Sequence, residues 1–265
     1  MSYWNYIPGA AAAVGTAVYT KMYVVGGNHA VADCDEYDAS GNSWTSKTNG
    51  PAVSSTRQYP GTNTLGDLMY VMGGRDGSPI SDTDAYSQAG NSWSTKATFA
   101  YAIYAQYSGV CNDKIYYSGG NDGDPDYGVL GLRQETYEYV DDTYTNKSVN
   151  GPTKQYVPGM AVGDKLYATH DSGVGEGDTI SPSEDNEEYS VSGNSWASKS
   201  SALSERADCA GASLGEGASA GYVFSGAHAA NTGRVNEEYS VSGNSWTSKT
   251  DLPAPDRTKI GAAGI

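Results

Sequence analysis

The sequence is poor in basic residues and in long apolar runs, and both shortages exclude common classes of partner. Of 265 residues, 16 are lysine or arginine and 31 are aspartate or glutamate, which gives a formal net charge of −15. An acidic surface repels phosphate backbones and anionic lipid, so nucleic acid is not expected as a partner. No stretch approaches the roughly 18 apolar residues of a spanning helix, so membrane insertion is not expected either.

Cysteine is scarce, and familiar catalytic motifs are missing. Cys34, Cys111 and Cys209 are odd in number and widely spaced, so we interpret them as buried free thiols without a disulfide framework or a CxxC metal signature. The chain has no Walker loop, HExxH pair or Rossmann glycine pattern. The sequence therefore predicts no catalytic residues and requires no cofactor.

Tyrosine and glycine are abundant, and the tyrosines belong to a repeat. The tetrapeptide Gly-Asn-Ser-Trp occurs four times, at 41–44, 90–93, 193–196 and 243–246. The interval between the second and third copies is double, and Tyr144 takes the tryptophan position midway between them. A tyrosine precedes each position in step, at Tyr37, Tyr86, Tyr137, Tyr189 and Tyr239. The chain thus contains five units with a period of about 50 residues, the signature of a repeat architecture.

Each unit predicts four β-strands. A segment of small residues comes first, followed by an apolar strand that ends in paired glycines, as in KMYVVGG (21–27) and LMYVMGG (68–74). A strand with the recurring tyrosine and a strand opened by tryptophan complete the unit. Ser-Gly-Asn-Ser between these last two predicts a tight hairpin, in which Gly and Asn supply positive φ.

This pattern resembles the kelch repeat, which has a double glycine after an apolar strand and a Tyr and Trp around a turn. The resemblance implies an all-β, five-bladed β-propeller with four antiparallel strands per blade, and we expect the C-terminal strand to close the ring. Residues 1–265 then form one domain, with approximate blades at 8–49, 50–98, 99–148, 149–200 and 201–250 and a closing strand at 251–265. An open β-solenoid, or an open assembly closed by another chain, is the alternative.

Candidate binding residues fall where the second strand of a unit ends, and where a chain enters the first strand. Chain registration predicts that both places lie on one face. The candidates at strand ends are His29, Asp76, Asp122, His170 and His228. The basic candidates before first strands are Arg57, Arg206 and Arg257, with Lys154 at the same place. They could contact a ligand such as an acidic sugar; the alternatives are solvated loop ends and, for the basic residues, pairing with a neighbouring blade's acid.

Two long insertions follow second strands, at 121–134 and 171–186. In the first, Asp122, Asp124 and Asp126 alternate with Gly and Pro, which is compatible with a calcium site, although the EF-hand spacing is absent. The alternative is a solvated loop, and long loops are where function concentrates.

The near-verbatim repeats and the missing catalytic constellation favour a non-catalytic structural or recognition module. The composition is similar to that of kelch-like proteins on bacteriophage particles, which predicts a virion component, in the tail or on the surface, that docks to other chains or to host glycans. The N-terminal segment is a poor signal peptide, so we expect a virion or extracellular location without secretion, or else the cytoplasm. The alternative function is a carbohydrate-active kelch-like enzyme, such as a sialic-acid mutarotase. An intracellular adaptor is a third hypothesis.

Overall fold

The structure is a computed structural model, and its elements are all strands. It describes residues 14–18, 21–25, 34–38, 41–50, 57–123, 133–148, 150–157, 159–170, 172–175, 179–207, 209–213, 218–226 and 233–253. Every regular element in these ranges is a β-strand. None of these residues forms a helix of the length and apolar character needed to cross a bilayer.

Within the described residues, five antiparallel sheets of four strands follow one another, and we call them blades 1 to 5. Blade 1 contains β1 (Val14–Val18), β2 (Lys21–Val25), β3 (Cys34–Asp38) and β4 (Ser43–Ser46). Blade 2 contains β5 (Gly61–Leu65), β6 (Leu68–Met72), β9 (Thr83–Ser87) and β10 (Ser92–Lys96). A short hairpin of β7 (Arg75–Asp76) and β8 (Ser78–Pro79) interrupts it.

The remaining blades repeat this order. Blade 3 contains β11 (Tyr107–Cys111), β12 (Lys114–Ser118), β13 (Thr136–Val140) and β14 (Thr143–Asn146). Blade 4 contains β15 (Gly159–Val162), β16 (Lys165–Thr169), β19 (Asn186–Ser190) and β20 (Ser195–Ser198), with a hairpin of β17 (Ser172–Gly175) and β18 (Thr179–Pro182) inserted. Blade 5 contains β21 (Ala210–Ser213), β22 (Ala220–Phe224), β23 (Asn236–Ser240) and β24 (Ser245–Ser248).

The four strands of each blade run from the inside of the molecule outward. The first strands are neighbours in sequence order, from β1 to β5, β11, β15 and β21. They are built from small residues because they approach closely: a Cβ on Gly109 would lie 2.7 Å from Cβ of Ala161 in the next blade. Outer strands such as β4 and β24 are mostly exposed. The predicted all-β, multi-blade architecture is confirmed.

The outer hairpin forms as the sequence predicts, with one correction. Asn42, Asn91, Asn194 and Asn244 adopt φ between 44° and 47°, but the glycines before them do not adopt positive φ. In blade 3, Asp141 and Asp142 occupy the turn with φ of 49° and 58°. Asparagine and aspartate tolerate the left-handed region better than most residues, so they alone supply the turn geometry.

Neighbouring blades meet along seams that carry the same pair of tyrosines each time. One tyrosine comes from the second strand of a blade and the other from the third strand of the next blade. Their ring centroids lie 5.2 to 5.8 Å apart in Tyr23–Tyr86, Tyr70–Tyr139, Tyr116–Tyr189 and Tyr167–Tyr239. Such tilted and edge-on pairs stabilise a contact by about 0.5–1.5 kcal/mol beyond their burial. The tyrosine opposite the hairpin aromatic therefore holds one blade to the next. In blade 3 this residue is Tyr139, which pairs with Tyr144, and the spacing that predicted Tyr137 was wrong by two residues.

The outer edge of each seam is closed by the hairpin aromatic. The indole nitrogens of Trp93 and Trp246 donate to the carbonyls of Thr48 and Ser200 at 2.8 Å, and that of Trp196 donates to Oγ1 of Thr136 at 2.7 Å. Each acceptor belongs to the preceding blade or to the segment that follows it. Tyr144, placed at the tryptophan position by the repeat, hydrogen-bonds with Thr83 of blade 2.

Two expectations fall outside the described residues. The closing strand at 251–265 lies there from residue 254 onward, and so does the N-terminal segment before residue 14. The three cysteines are free and buried, as the sequence predicts.

Candidate functional site

The face predicted to carry function is built from the linkers that enter the first strands and from the exits of the second strands. Backbone bridges join the two: Gln58 pairs with Arg75, Tyr104 with Asn121, and Ser183 with Arg206. In the first two, N–H and C=O groups are exchanged at 2.8 to 3.0 Å. The linkers into blades 2 and 3 are therefore fixed against the paired-glycine turns of their own blades, and the linker into blade 5 is fixed against the segment after the inserted hairpin of blade 4.

Three linkers adopt left-handed backbone at one equivalent position. Tyr59, Ala105 and Tyr156 have φ of 52°, 57° and 55°. The N–H of Ala105 donates to the carbonyl of Tyr59 at 3.0 Å, and the N–H of Tyr156 donates to the carbonyl of Ala105 at 3.3 Å. The bonds run from one linker to the next across three blades. Positive φ is unfavourable for a bulky residue, and such outliers concentrate at functional sites.

Tyr59, Tyr104 and Tyr156 converge on this face, and we call them the tyrosine cluster. The ring centroids of Tyr59 and Tyr156 are 5.1 Å apart with the rings nearly perpendicular. Tyr104 lies 6.4 Å from Tyr59 and 6.3 Å from Tyr156. All three side chains are only partly buried. The cluster thus presents aromatic surface and phenol groups to solvent.

Polar groups surround the cluster. The guanidinium of Arg75 stands over the ring of Tyr104, 5.1 Å from its centroid. Among the residues the structure describes, Arg75 makes no ion pair, whereas Arg57, Arg133 and Arg206 all do. The amide Nδ2 of Asn121 donates to Oε1 of Gln155 at 3.3 Å. The cation therefore lies beside the rings, and the two buried amides bond each other beneath the cluster.

Burial keeps the phenol of Tyr156 protonated by raising its pKa. Burial, together with Tyr104 and Tyr59, raises the pKa of Tyr156, although nearby Arg75 opposes the shift. A protonated phenol donates and accepts hydrogen bonds, and its ring can stack on an apolar face. This arrangement is suited to binding a polar ligand with one flat apolar side.

The two described arginines of the predicted site, Arg57 and Arg206, serve internal contacts. Arg57 bonds Asp84 at 2.7 Å and also donates to the carbonyls of Gly73, Val71 and Asp82. Arg206 pairs with Glu237 at 2.9 Å and donates to the carbonyl of Ser225 at 2.8 Å. Each acid belongs to the blade that the linker enters, so the predicted alternative of pairing with a neighbouring blade's acid is wrong for these two arginines. These contacts favour ion pairing over ligand contact.

His170 is fully buried and stands where other blades have the first glycine of the pair. Its φ of 59° matches those of Gly73 and Gly119. Its ring lies edge-on to Trp246 of blade 5 at 5.9 Å, and Nδ1 hydrogen-bonds with Thr169 at 2.9 Å. Burial, with the charges of Arg206 and Lys154, lowers its pKa well below 6.5. A buried, neutral imidazole packs a seam and does not face solvent.

The structure also describes two of the acidic candidates, Asp76 and Asp122. Asp76 lies half-buried in the β7–β8 hairpin, and Asp122 forms an ion pair with Arg133. Arg133 in turn stacks over Tyr101 at 3.9 Å. Asp124 and Asp126, the other residues of the proposed calcium site, lie outside the described residues, as do His29, His228 and Arg257. Within the described part of the chain, no three acidic, histidine or cysteine residues are grouped as a metal site.

Sequence reasoning missed the tyrosine cluster because tyrosine occurs 22 times and no single one stands out. A signal was nevertheless present. The linkers into blades 2 and 4 read RQYPG (57–61) and KQYVPG (154–159), which repeat a basic residue, Gln, Tyr and a nearby proline. The tyrosine that these two segments share is the residue with left-handed backbone.

Comparison with known proteins agrees with this architecture. A family model described as the kelch motif matches residues 56–99, which span blade 2. The solved structure of the protein YjhT superposes with a TM-score of 0.75 at 13% sequence identity, covering 96% of this chain and 87% of that one. No curated protein sequence matches the chain.

The repeat, the four-stranded blades and the matched motif define the class: the fold is a kelch-repeat β-propeller. Kelch propellers commonly mediate interactions with other proteins, so the fold favours a recognition module. The likeness to YjhT rests on 13% identity and concerns the fold alone.

Proposed function

We propose that the protein is a non-catalytic recognition module that binds its ligand at the tyrosine cluster. The observation that carries this proposal is the convergence of Tyr59, Tyr104 and Tyr156 beside the unpaired guanidinium of Arg75. Three linkers adopt strained, left-handed backbone at this one place. Strain of about 1–3 kcal/mol per residue persists where the surrounding structure enforces it, and it often accompanies binding sites.

The ligand that suits the cluster best is a host glycan. Sugar rings have one apolar face that can stack on tyrosine, and their hydroxyls can bond phenols and a guanidinium. A carboxylate on the sugar could form a bidentate pair with Arg75. The module could also dock a polypeptide of an assembly through the same aromatic surface.

The proposed setting is the surface or tail of a virion, outside the cell. The acidic, Ser-, Gly- and Tyr-rich composition supports it, as do the repeats that favour a durable shape over a unique pocket. His170 does not support the enzyme hypothesis as drawn from the sequence, because its imidazole is buried against Trp246.

The test is glycan binding by the purified protein and by three variants. Tyr59→Ala and Tyr156→Ala should each weaken glycan-array binding by tenfold or more, because each removes a stacking ring. Tyr101→Ala removes another exposed tyrosine outside the cluster and should leave binding unchanged. Circular dichroism verifies that each variant is folded.

Retention of glycan binding in both cluster variants would contradict the proposed site. Turnover of a free sugar by the wild-type protein, lost in the cluster variants, would instead support the carbohydrate-active enzyme. Binding to purified virion chains, with no binding to glycans, would leave recognition in place and make the ligand a polypeptide.

A further inference from the structure

The residue that follows the paired glycines of one blade contacts the linker into the next blade, and the structure describes this contact at two places. Arg75 of blade 2 lies over the ring of Tyr104 in the linker into blade 3, 5.1 Å from its centroid. Asn121 of blade 3 donates from Nδ2 to Oε1 of Gln155 in the linker into blade 4, at 3.3 Å. The two contacts therefore hold the same place in the repeat and differ in chemistry.

Backbone hydrogen bonds support this equivalence. Arg75 exchanges N–H and C=O bonds with Gln58 at 2.8 and 2.9 Å, and Asn121 exchanges them with Tyr104 at 2.9 and 3.0 Å. Tyr104 and Gln155 each come directly before the residue of their linker that has left-handed backbone. Since an asparagine and a glutamine meet here between blades 3 and 4, the fold does not require an arginine at this place.

The amide pair is buried, whereas the arginine pair reaches solvent. Asn121 and Gln155 are 4% and 3% exposed, and Oδ1 of Asn121 accepts from the N–H of Gly123 at 2.7 Å. Arg75 and Tyr104 are both partly exposed. Among the described residues, no acid pairs with the guanidinium of Arg75, although the chain has 31 acidic residues and 16 basic ones. Its charge is therefore available to a ligand.

The position of this guanidinium suits the binding of an oxyanion. The β7–β8 hairpin that carries Arg75 packs against blade 3, where a Cβ on Gly123 would lie 3.3 Å from Cγ of Pro79. A guanidinium that rests on an aromatic face keeps its N–H edge free, and its planar fork loses little freedom when it binds a carboxylate or a sulfate. Burial raises the pKa of Tyr156 and the charge of Arg75 opposes that shift, so the charge acts on the tyrosine cluster itself.

We propose that Arg75 determines the specificity of the tyrosine cluster and selects anionic glycans, whose carboxylate or sulfate ester it binds through two parallel hydrogen bonds. The inference rests on the proposed function, since it takes the cluster as the glycan site and adds which glycans the site prefers. A sugar ring stacks on a tyrosine of the cluster, and the anionic group on that ring or its neighbour reaches Arg75. Neutral sugars make the stacking contact alone and bind more weakly.

The acidity of the whole chain acts mainly at long range. Dissolved ions screen charges that are more than about 8 Å apart at physiological ionic strength, so the groups nearest the anion decide the preference. Asp76 is the next residue of β7, and successive side chains of a strand point to opposite sides. Asp122 is paired with Arg133. The net charge of −15 should therefore slow the approach of an anionic glycan more than it weakens the bound complex.

The test uses the full chain on a glycan array that carries each oligosaccharide in three matched forms. The exocyclic carbon of the sugar bears a hydroxymethyl group in the neutral form, a sulfate ester in the second form and a carboxylate in the third. The wild-type protein should bind an anionic form about tenfold more tightly than its neutral counterpart, because the anion adds charge-assisted hydrogen bonds. The tighter of the two anionic forms identifies the preferred group. Hexaglutamate is tested beside the glycans as an acidic polypeptide.

Three variants assign the preference to one side chain. Arg75→Asn copies Asn121, so it should melt within about two degrees of the wild type and bind the anionic and neutral forms within about twofold of each other. Arg75→Lys keeps the charge without the planar fork and should retain a preference of about threefold. Lys96→Asn removes another partly buried cation, at the end of β10, and should leave the wild-type preference unchanged.

The outcomes distinguish this inference from the proposed function. Equal binding of neutral and anionic forms by the wild-type protein would overturn the inference and leave the glycan site in place. A preference that survives Arg75→Asn, or that Lys96→Asn removes equally, would overturn the role of Arg75. Failure to bind any glycan would overturn the proposed ligand and the inference together, and binding of hexaglutamate in that case would assign the site to an acidic polypeptide.

Discussion

The linkers into blades 2 and 3 hold the same backbone geometry by opposite means. In blade 2, Arg57 reaches Asp84 and three carbonyl oxygens, so charge and hydrogen bonds fix the linker. In blade 3, Ile103 occupies the arginine position and is buried with Phe99 and Tyr117. Tyr137 replaces the acid and stacks on Tyr117 at 5.3 Å.

The two linkers therefore show that different side-chain interactions can hold the same backbone shape in this repeat. Each linker must present left-handed backbone to the next, because the bonds from Tyr59 through Ala105 to Tyr156 depend on it. A buried ion pair and an apolar cluster both achieve this. They should respond differently to mutation and pH, and five measurements sharpen the contrast.

The largest effect is expected from Arg57→Met. Asp84 is 1% exposed and would be left as a buried charge without its partner, so the free energy of unfolding should fall by about 3–5 kcal/mol in urea denaturation. The double variant Arg57→Ile with Asp84→Tyr copies blade 3 and should recover more than half of that loss. A double variant no more stable than the single one would show that the two chemistries are not interchangeable.

Ile103→Ala tests the apolar linker. Ile103 is 5% exposed within the largest apolar cluster of blades 2 and 3, so its truncation should destabilise the fold by about 2–4 kcal/mol. Because no charge is involved, the loss should be the same in low and high salt. A strong salt dependence of this loss would contradict the apolar account.

Protonation of His170 makes the stability of the fold depend on pH. Burial lowers its pKa well below 6.5, so below that pH the unfolded chain binds a proton that the folded chain does not. Stability is therefore full above about pH 6.5 and falls as pH decreases, by about 1.4 kcal/mol per unit. His170→Ser, which copies Ser225 of blade 5, should remove this part of the slope in urea titrations between pH 7.5 and 5.5. An unchanged slope would refute the assignment.

A smaller effect separates strain from packing at Tyr59. Tyr59→Ala and Tyr59→Gly remove the same ring, but only glycine adopts φ of 52° without steric penalty. The glycine variant should be more stable than the alanine variant by about 1 kcal/mol, with equal loss of ligand binding. Equal stabilities would mean that the backbone stores no strain there.

The smallest effect is expected at Glu187, the acid that faces Lys154 in blade 4. Burial raises the pKa of Glu187, while Lys154 opposes the shift. Its carboxylate is therefore less favourable in the folded chain than in water, and Glu187→Gln should raise stability at pH 7 by less than about 1 kcal/mol. A clear destabilisation would mean that Lys154 and Glu187 form an ion pair as productive as Arg57 and Asp84.

The blades could be predicted from the sequence because the strands, the hairpin turn and the aromatic position of each unit are all encoded within short segments. Tyr144 was identified as the stand-in for tryptophan by spacing alone, and its contact with Thr83 confirms this. The site was harder to predict because it depends on contacts between blades. Register placed His170 at a strand exit, but only the packing of Trp246 from the next blade makes it buried. Likewise, the linkers into blades 2 and 4 share a Gln-Tyr pair in the sequence, but the left-handed backbone at Tyr59 and Tyr156 depends on hydrogen bonds between linkers that neither segment displays.

The turn asparagines have a consequence for the ageing of the molecule. Asn–Ser steps are prone to lose the side-chain amide with time, which turns the residue into a mixture of aspartate and isoaspartate. The seams use mainly the oxygen of that group: Oδ1 of Asn91 accepts from Thr48 and Oδ1 of Asn244 from Ser200, both at 3.0 Å. Blade 3 already has Asp142 there, accepting from Ala97 at 2.5 Å. Conversion to aspartate therefore keeps the oxygen that accepts the seam hydrogen bond.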